Sequence, residues 1–173
     1  MLRVLSLILY YGIAAYLPDS YTPVVGKISN SFRVFLCRRI FKKCGKHVNI
    51  SRKAYFGTGK DFEIGDYSGI GADASLPNDM VIGKYVMMAP HVHILAINHR
   101  FDRIDIPMCF QDFSTRYKMV IEDDCWIGQR VLILPGKNIR KGTVVAAGAV
   151  VTKEFEEYSI IGGNPAKFIR KRM

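Results

Sequence analysis

Residues 119–153 read MVIEDDCWIGQRVLILPGKNIRKGTVVAAGAVVTK, and within this stretch an aliphatic side chain returns at every sixth position. A period of six differs from the roughly 3.6 residues of a helical turn and from the simple alternation of a strand. Because six is a multiple of two, successive short strands can each send the same residue inward. Repetition at a short fixed period is typical of a solenoid, whose units bury their apolar sides against their neighbours. The repeated residues are Ile121, Ile127, Ile133, Ile139, Val145 and Val151.

The same period occurs earlier in the chain, at Ile64, Ile70, Leu76, Ile82, Met88 and Ile94. Ile50, Phe56 and Phe62 join this series if a two-residue slip is allowed near Phe62. The next position is often glycine or alanine, and glycine tolerates the backbone angles that a corner needs. An ordinary β-sandwich with fortuitous spacing is the alternative, but two long series in phase favour the solenoid.

Five short motifs stand out in this part of the chain: IGDYSG (64–69), IEDDCWIG (121–128), VLILPG (131–136), VVAAGAVVTK (144–153) and GGNPAK (162–167). Together they resemble the hexapeptide-repeat acyltransferases, and most strongly the galactoside and maltose O-acetyltransferases and the related capsular-polysaccharide O-acetyltransferases. The resemblance covers roughly Val48 to Arg172. It implies an all-β solenoid, a left-handed parallel β-helix of triangular section with three repeats per turn. The handedness comes from the family alone, since parallel sheets in general favour right-handed crossovers.

The net charge of +10 is concentrated at the start of a chain whose 173 residues fit a single domain. Residues 1–60 contain 11 Lys or Arg and one acid, Asp19, whereas residues 61–173 contain 14 of each sign. The four cysteines form no Cys-x-x-Cys pair, which favours reduced thiols in a cytoplasmic protein. They are Cys37, Cys44, Cys109 and Cys125.

The sequence divides into a basic and apolar helical segment at 1–47, the β-helix at 48–155 and a C-terminal tail at 156–173. Leu2 to Leu17 predict a helix that is shorter than the ~20 residues needed to span a membrane. No convincing signal-peptide cleavage site follows it. We expect this helix to lie on the end of the solenoid or on a membrane surface.

A second helix is predicted after Ser29 or Asn30, either of which could cap it. Its bases are interleaved with its apolar residues, whereas a helix at a membrane interface segregates the two. The two helices are expected to plug the open end of the β-helix, with membrane attachment as the alternative or an addition. Nucleic acid is not expected as a partner, because no module that reads it is present. The apolar residues are Phe32, Phe35, Leu36, Ile40 and Phe41; the bases are Arg33, Arg38, Arg39, Lys42, Lys43 and Lys46.

The six-residue period fails between Ile94 and Ile121, so about residues 98–118 are expected to leave the coil as a loop, where function is often located. Asn98 and His99 open this loop, at the position of the catalytic histidine of the family. The resemblance therefore implies a catalytic pair in which His99 is the general base. Imidazole suits the removal of a proton from a sugar hydroxyl that attacks a thioester. The sequence does not identify the group that orients the ring.

A zinc hydratase of the carbonic-anhydrase kind is a rival reading, since some β-helix proteins collect three histidines around a metal. The spacing of His93 and His99 would place them on adjacent faces of one turn, with His91 at an ordinary repeat position. Zinc needs its ligand nitrogens about 2 Å from one point, and two faces of a triangle diverge. No metal site is therefore predicted.

The resemblance implies acetyl-coenzyme A as cosubstrate. Trp126 and Gln129 fall on the stretch that lies beside the pantetheine arm in the family. Residues near the arm and the phosphates are implied to be Ala147, Thr152 and Lys153, and the cations for the nucleotide phosphates Lys167 and Arg170. A solvated basic terminus is the alternative for the last two.

The sequence features and the resemblance together predict a cytoplasmic O-acetyltransferase whose acceptor is a sugar of surface-polysaccharide synthesis. The resemblance implies that the enzyme is a homotrimer with its active site between neighbouring subunits. Gly71 stands where the sugar acetyltransferases carry an acceptor-positioning asparagine, and their N-terminal acceptor-binding segment is expected to have no counterpart here. The basic start predicts salt-sensitive contact of residues 1–46 with the inner face of an anionic membrane. The alternatives are an N-acetyltransferase acting on an amino-sugar nucleotide, the zinc hydratase, and a β-helix that only trimerises.

Overall fold

Two-residue strands recur through most of the chain in the computed structural model, which describes all of residues 1–173. The second residue of each is buried, except in β1, where Cys44 is partly buried, so the aliphatic residues of the six-residue period form the core. The strands are β1 Lys43–Cys44, β2 Asn49–Ile50, β3 Glu63–Ile64, β4 Gly69–Ile70, β5 Val81–Ile82, β6 Met87–Met88, β7 His93–Ile94, β8 Val120–Ile121, β9 Trp126–Ile127, β10 Leu132–Ile133, β11 Val144–Val145 and β12 Val150–Val151. Two longer strands, β13 Ser159–Gly162 and β14 Lys167–Lys171, end the chain.

These strands stack into the three faces of a left-handed parallel β-helix, as predicted. Face one contains β1, β3, β5 and β8; face two contains β2, β4, β6, β9, β11 and β13; face three contains β7, β10 and β12. Ile64 pairs with Ile82, and Ile127 with Val145, so one turn takes 18 residues, or three repeats. All pairings between successive turns are parallel, which excludes the sandwich.

Two departures from the 18-residue turn agree with the breaks in the sequence pattern. Ile50 pairs with Ile70, 20 residues on, and the two extra residues lie near the turn that contains Gly57 and Gly59, both at positive φ. Ile82 pairs with Ile121, 39 residues on, so the loop adds 21 residues to one turn. The coil continues in phase on either side of both insertions.

Two helices, α1 (Leu2–Gly12) and α2 (Val25–Ile40), cover the N-terminal end of the coil. Tyr10 is fully buried and its hydroxyl donates to the carbonyl of Ala54 at 2.8 Å. The carboxamide of Asn30 accepts from the N–H of Ile50 at 2.8 Å and donates to the carbonyl of Val48 at 3.3 Å. Asn30 thus replaces the strand that β2 lacks on its outer side, and an open edge is closed. Neither helix is long and apolar enough to cross a membrane.

Arg33 is the largest fully buried side chain and joins α2 to the coil. Its Nε donates to the carbonyl of Ile50 at 2.5 Å, and its Nη2 donates to the hydroxyl of Ser20 at 3.2 Å. Its Nη1 lies 3.2–3.4 Å from three carbonyls of the segment between the helices. Burial lowers the pKa of this guanidinium, and the hydrogen bonds offset part of the cost of burying it.

Several predicted boundaries were wrong by a few residues. Helix α2 begins at Val25, before Ser29 and Asn30. Gly26 in its first turn lies so close to the preceding turn that a Cβ would be 2.5 Å from the Ser20 carbonyl oxygen. The helix ends at Ile40, so Lys42, Lys43 and Lys46 lie beyond it. Lys43 already belongs to β1, which pairs with β3, so the coil starts before residue 48.

The C-terminal tail also differs from its predicted division at residue 156. Strand β13 stacks on β11, with Ile161 paired to Val145 and fully buried, so face two continues into the tail. Strand β14 then returns antiparallel to β13 and covers the last turn of the coil.

Candidate active site

The loop that interrupts the coil is an ordered excursion. At its root the strand segments around His99 and Phe113 pair antiparallel, with the N–H of Ser114 donating to the carbonyl of Asn98 at 2.8 Å. Buried Gln111 bonds three backbone groups within the loop. Arg116 forms a 2.7 Å ion pair with Asp79 of the preceding turn. The base of the loop is therefore held at two places, which fixes the position of His99.

His99 is exposed, and its ring centroid lies 4.4 Å from that of Phe113. The imidazole has no hydrogen-bond partner in the chain, and neither has the carboxamide of Asn98, whose backbone N–H donates to Ser114. His99 lines a cavity of about 410 Å³ that is formed by loop residues alone. The one carboxylate that lines this cavity, Asp102, is paired with Arg100 at 2.9 Å. In this structure no side chain of the chain orients the ring by a hydrogen bond.

A second cavity, of about 390 Å³, lies on face two. Its floor is formed by outward residues of successive strands, and Gly69 makes a depression between Asn49 and Met87. Asp19 and Tyr21, from the segment between α1 and α2, line it near the cap, and Trp126 lines it farther along the coil. We call this cavity the face-two groove. It shares no lining residue with the cavity of His99.

Gly71 lies on the floor of the groove at a point where no side chain fits. A Cβ there would lie 2.0 Å from the carbonyl oxygen of Ala89 on the next turn. An asparagine cannot therefore occupy this position while the two turns remain at their present separation. The predicted departure from the sugar acetyltransferases thus has a packing reason.

The predicted coenzyme A residues of the coil fall into two groups. Trp126 is exposed on face two, and Gln129 and Ala147 lie on successive turns at the corner between faces two and three. Thr152 and Lys153 follow β12, at the edge between faces three and one from which the loop leaves. The structure therefore does not bring all five together within one chain.

The tail separates its cations into paired and free ones. Lys171 and Arg172 lie 2.8 Å and 3.0 Å from carboxylates of the chain. Lys167 has no ion-pair partner, and Arg170 donates only to the carbonyl of Lys171. The two cations implied by the resemblance are thus the ones that remain available to an anionic ligand.

The histidines of the zinc alternative do not converge. His91 lies at a corner and His93 projects outward from face three. The expected placement of His99 on an adjacent face was wrong, because His99 lies in the loop and not on the coil. No three His, Cys, Asp or Glu side chains are grouped as metal ligands in the chain.

Several residues of the two cavities escaped the sequence analysis. Tyr67 stacks on His47 at 4.7 Å and on Tyr85 at 5.5 Å between ring centroids, at one corner of successive turns. Two of these rings form a wall of the face-two groove. The 18-residue spacing of the two tyrosines was the signal that could have identified this stack. Asp19, which lines the groove, carried no such signal, and neither did Arg116, which holds the base of the loop, since their contacts are distant in sequence.

No profile of a protein family matches the chain, but individual proteins do. A putative acetyltransferase of Saccharomyces cerevisiae is 35% identical over 136 residues, which are 78% of this chain and 68% of the yeast protein. The chain spans between 25% and 68% of the length of the curated relatives that it matches.

Two solved structures match nearly the whole chain. A hexapeptide-repeat acetyltransferase of Vibrio cholerae superposes with a TM-score of 0.78 at 25% identity, over 99% of this chain and 91% of that one. That protein has also been solved in complex with acetyl-coenzyme A. A maltose O-acetyltransferase of Clostridium difficile 630 superposes with a TM-score of 0.76 at 27% identity, over 98% and 85%. These spans include the N-terminal helices, so the expectation that the segment has no counterpart was wrong.

Proposed function

The chain belongs to the hexapeptide-repeat acetyltransferases, and from this premise we propose that it moves an acetyl group from acetyl-coenzyme A to a sugar hydroxyl, with His99 as general base. The relatives support both substrates, since one binds acetyl-coenzyme A and another is a maltose O-acetyltransferase. The observation that carries the proposal is the exposed imidazole of His99, held at the root of an ordered loop and unbonded within the chain.

In the proposed reaction the thioester supplies the activated acetyl group. The His99 imidazole accepts the proton of the acceptor hydroxyl as its oxygen attacks the thioester carbon. The C–S bond then breaks, and the same imidazole returns the proton to the sulfur, which leaves as a thiol. Lys167 and Arg170 hold phosphates through charge-assisted hydrogen bonds, far from the reacting carbon.

The site is proposed to form between copies in a homotrimer. The His99 cavity and the face-two groove have no residue in common, so one chain presents two separate parts. The loop also exposes large apolar side chains to solvent, at Phe101, Ile104, Met108 and Phe110. Packing of this loop near the groove of the next copy would cover them and bring His99 to the acceptor. Sedimentation equilibrium should then give three times the 19.6 kDa chain mass.

The function is tested by incubating the protein with acetyl-coenzyme A and a panel of sugars, with release of free thiol as the readout. The panel includes amino sugars and their nucleotides, so that the product distinguishes O- from N-acetylation. Thiol release that depends on a sugar hydroxyl supports the proposal. Binding of acetyl-coenzyme A without turnover on any acceptor would contradict it.

The free cations of the tail give a prediction about the cosubstrate. Changing Lys167 and Arg170 together to alanine should raise KM for acetyl-coenzyme A by roughly tenfold, or about 1.4 kcal/mol, and leave kcat unchanged. Phosphate contacts far from the thioester stabilise ground and transition states alike. The matched control is the double change of Lys171 and Arg172, whose charges are already paired. A fall in kcat at constant KM would contradict the assignment of Lys167 and Arg170 to phosphate binding.

We also propose that the enzyme works on surface-polysaccharide sugars at the cytoplasmic face of an anionic membrane, which the helical cap contacts. Arg33, one of the interleaved bases, is buried, so it does not interrupt the outer surface of α2. That surface keeps Lys27, Arg38 and Arg39 exposed, and Asp19 is the only acid in residues 1–60. Each such base near an anionic surface contributes about 1 kcal/mol.

The full-length protein is accordingly expected to co-sediment with vesicles that contain phosphatidylglycerol at low salt, and to be released at high salt because salt screens the attraction. Vesicles of phosphatidylcholine alone are the control. Replacement of both Arg38 and Arg39 by glutamate should abolish the binding. If the wild-type protein stays in the supernatant at low salt, the helical cap covers the end of the coil but does not bind an anionic membrane.

A further inference from the structure

Helix α1 carries apolar side chains on both of its sides. The inward side contains the buried Ser6 and Tyr10, and Leu7 and Leu9 also pack against the core. The outward side exposes Val4, Leu5 and Ile8 to solvent. A surface helix of a globular protein normally turns its apolar stripe inward and polar residues outward. The core of this chain therefore does not account for the apolar side chains on the outward side of α1.

Helix α2, which packs beside α1, and the segment before it also expose apolar side chains. Val24, Ile28 and Phe35 are exposed there, and Tyr16 and Tyr21 are exposed close by in sequence. So many exposed apolar side chains on two neighbouring helices favour an interaction site. We call it the cap face and define it by the exposed apolar side chains of residues 1–35: Met1, Leu2, Val4, Leu5, Ile8, Ile13, Tyr16, Tyr21, Val24, Val25, Ile28 and Phe35.

The basic charge and the exposed apolar side chains of the cap favour a lipid surface as the partner of the cap face. A protein partner would commonly bring complementary acids, but an anionic bilayer provides both the apolar layer and the negative charge that the neighbouring bases match. Exposed tyrosines such as Tyr16 and Tyr21 suit the boundary between lipid headgroups and acyl chains. The apolar ring contacts the acyl chains, and the hydroxyl stays in the hydrated headgroup layer.

The cap face and the face-two groove are joined by one segment of chain. Asp19 and Tyr21 line the face-two groove, and Val24 and Val25, which follow at once, belong to the cap face. Asp19 also accepts from the N–H of Arg52 at 3.4 Å, and Ser20 donates to the carbonyl of Ile50 at 3.4 Å, so this segment is fixed on the coil. Any surface that receives the cap face therefore lies against the rim of the groove.

We propose that the cap face inserts into an anionic lipid surface and holds the face-two groove open toward it, so that the acceptor is a sugar carried on a membrane lipid. The inference rests on the proposed acetyl transfer and deepens it by naming the form in which the acceptor arrives. A lipid-linked sugar is confined to the membrane surface, and an enzyme that shares this surface meets it at high effective concentration.

The orientation is tested with a tryptophan at the rim of the groove and lipids that quench its fluorescence. Trp126 is the only tryptophan, so Trp126→Phe gives a silent background for Tyr21→Trp. Vesicles with phosphatidylglycerol and brominated phosphatidylcholine should quench the residue at position 21 strongly. The matched control is Tyr158→Trp in the same background, at the opposite end of the coil, which should not be quenched. Vesicle-bound protein without quenching at position 21, or with equal quenching at both positions, would overturn the proposal.

Insertion is tested by Ile8→Asp, with Ile169→Asp as a control of similar exposure, since the two side chains are 63% and 58% exposed. Ile8→Asp should reduce binding to the anionic vesicles at least tenfold without changing thermal stability, and Ile169→Asp should not. With the sugar found in the acceptor screen, Ile8→Asp should raise KM for its lipid-linked form in vesicles and leave KM for the free sugar unchanged. Equal KM changes for both forms, or none, would overturn the inference. Absence of turnover on every acceptor would instead contradict the proposed acetyl transfer.

Discussion

Replacement of His99 by alanine should lower kcat by about 10²–10⁴-fold, the usual contribution of a general base. The loss falls on the chemical step because the imidazole is the group placed to receive the proton of the acceptor hydroxyl. The fold should be unaffected, since the His99 ring is exposed and the ring of Phe113 is the one aromatic ring that it contacts. Thiol release at saturating acetyl-coenzyme A measures kcat, and sedimentation verifies that the association state is unchanged.

His93→Ala is the matched control for this substitution. His93 is an exposed histidine one short segment upstream, and it projects from face three of the coil. Its removal should leave kcat within twofold or so of wild type, as expected for a surface substitution away from the site. If His99→Ala turned over at the wild-type rate, His99 would not be the base, and a base would have to be sought elsewhere.

Replacement of Arg33 by alanine should lower the free energy of unfolding by about 3 kcal/mol or more. The guanidinium is fully buried and donates to four carbonyls and one hydroxyl, and each buried acceptor left unpaired costs about 1–3 kcal/mol. Because these carbonyls belong to the coil and to the segment between the helices, the loss should loosen the cap. Urea unfolding at constant protein concentration measures the change.

Arg38→Ala provides the comparison on the same helix. Arg38 is exposed, so its removal should change the free energy of unfolding by no more than about 0.5 kcal/mol. Arg33→Lys should fall between the two, because lysine keeps the charge but not the planar set of donors. Equal stability of wild type and Arg33→Ala would mean that water replaces the guanidinium and that the cap is held by apolar packing alone.

The coil could be predicted from the sequence because its interactions repeat. Each turn meets the next through the same buried position, so Ile64 and Ile82 carry the same information as Ile127 and Val145. The breaks in the period were equally visible, since an insertion changes the phase without changing the residues on either side. The position of His99 was visible only through the resemblance, because a single histidine has no period.

The two helices of the cap were predicted from the sequence, but their contacts with the coil were not, because each of these contacts occurs only once. Asn30 was assigned to the start of a helix, where asparagine is common, but in the structure it completes the pairing of Ile50. Arg33 was counted among the bases interleaved along the helix, and its burial depends on carbonyls that only the folded connection between the helices brings together. Local preference cannot anticipate either role.

The sequence by itself determined a solenoid with a six-residue repeat, the length of its loop and the charge of its first sixty residues, because spacing and composition specify these. The three faces of the coil and its handedness came from the family resemblance. Only the tertiary structure decided that His99 and the face-two groove lie on separate parts of one chain. It also decided which residues of α1 face solvent, since a helix that is apolar on both sides does not reveal in its sequence which side packs on the coil. Contacts that recur at every turn appear as a period in the sequence, so they can be predicted from it. The cap and the loop depend on single contacts between residues that are distant in sequence.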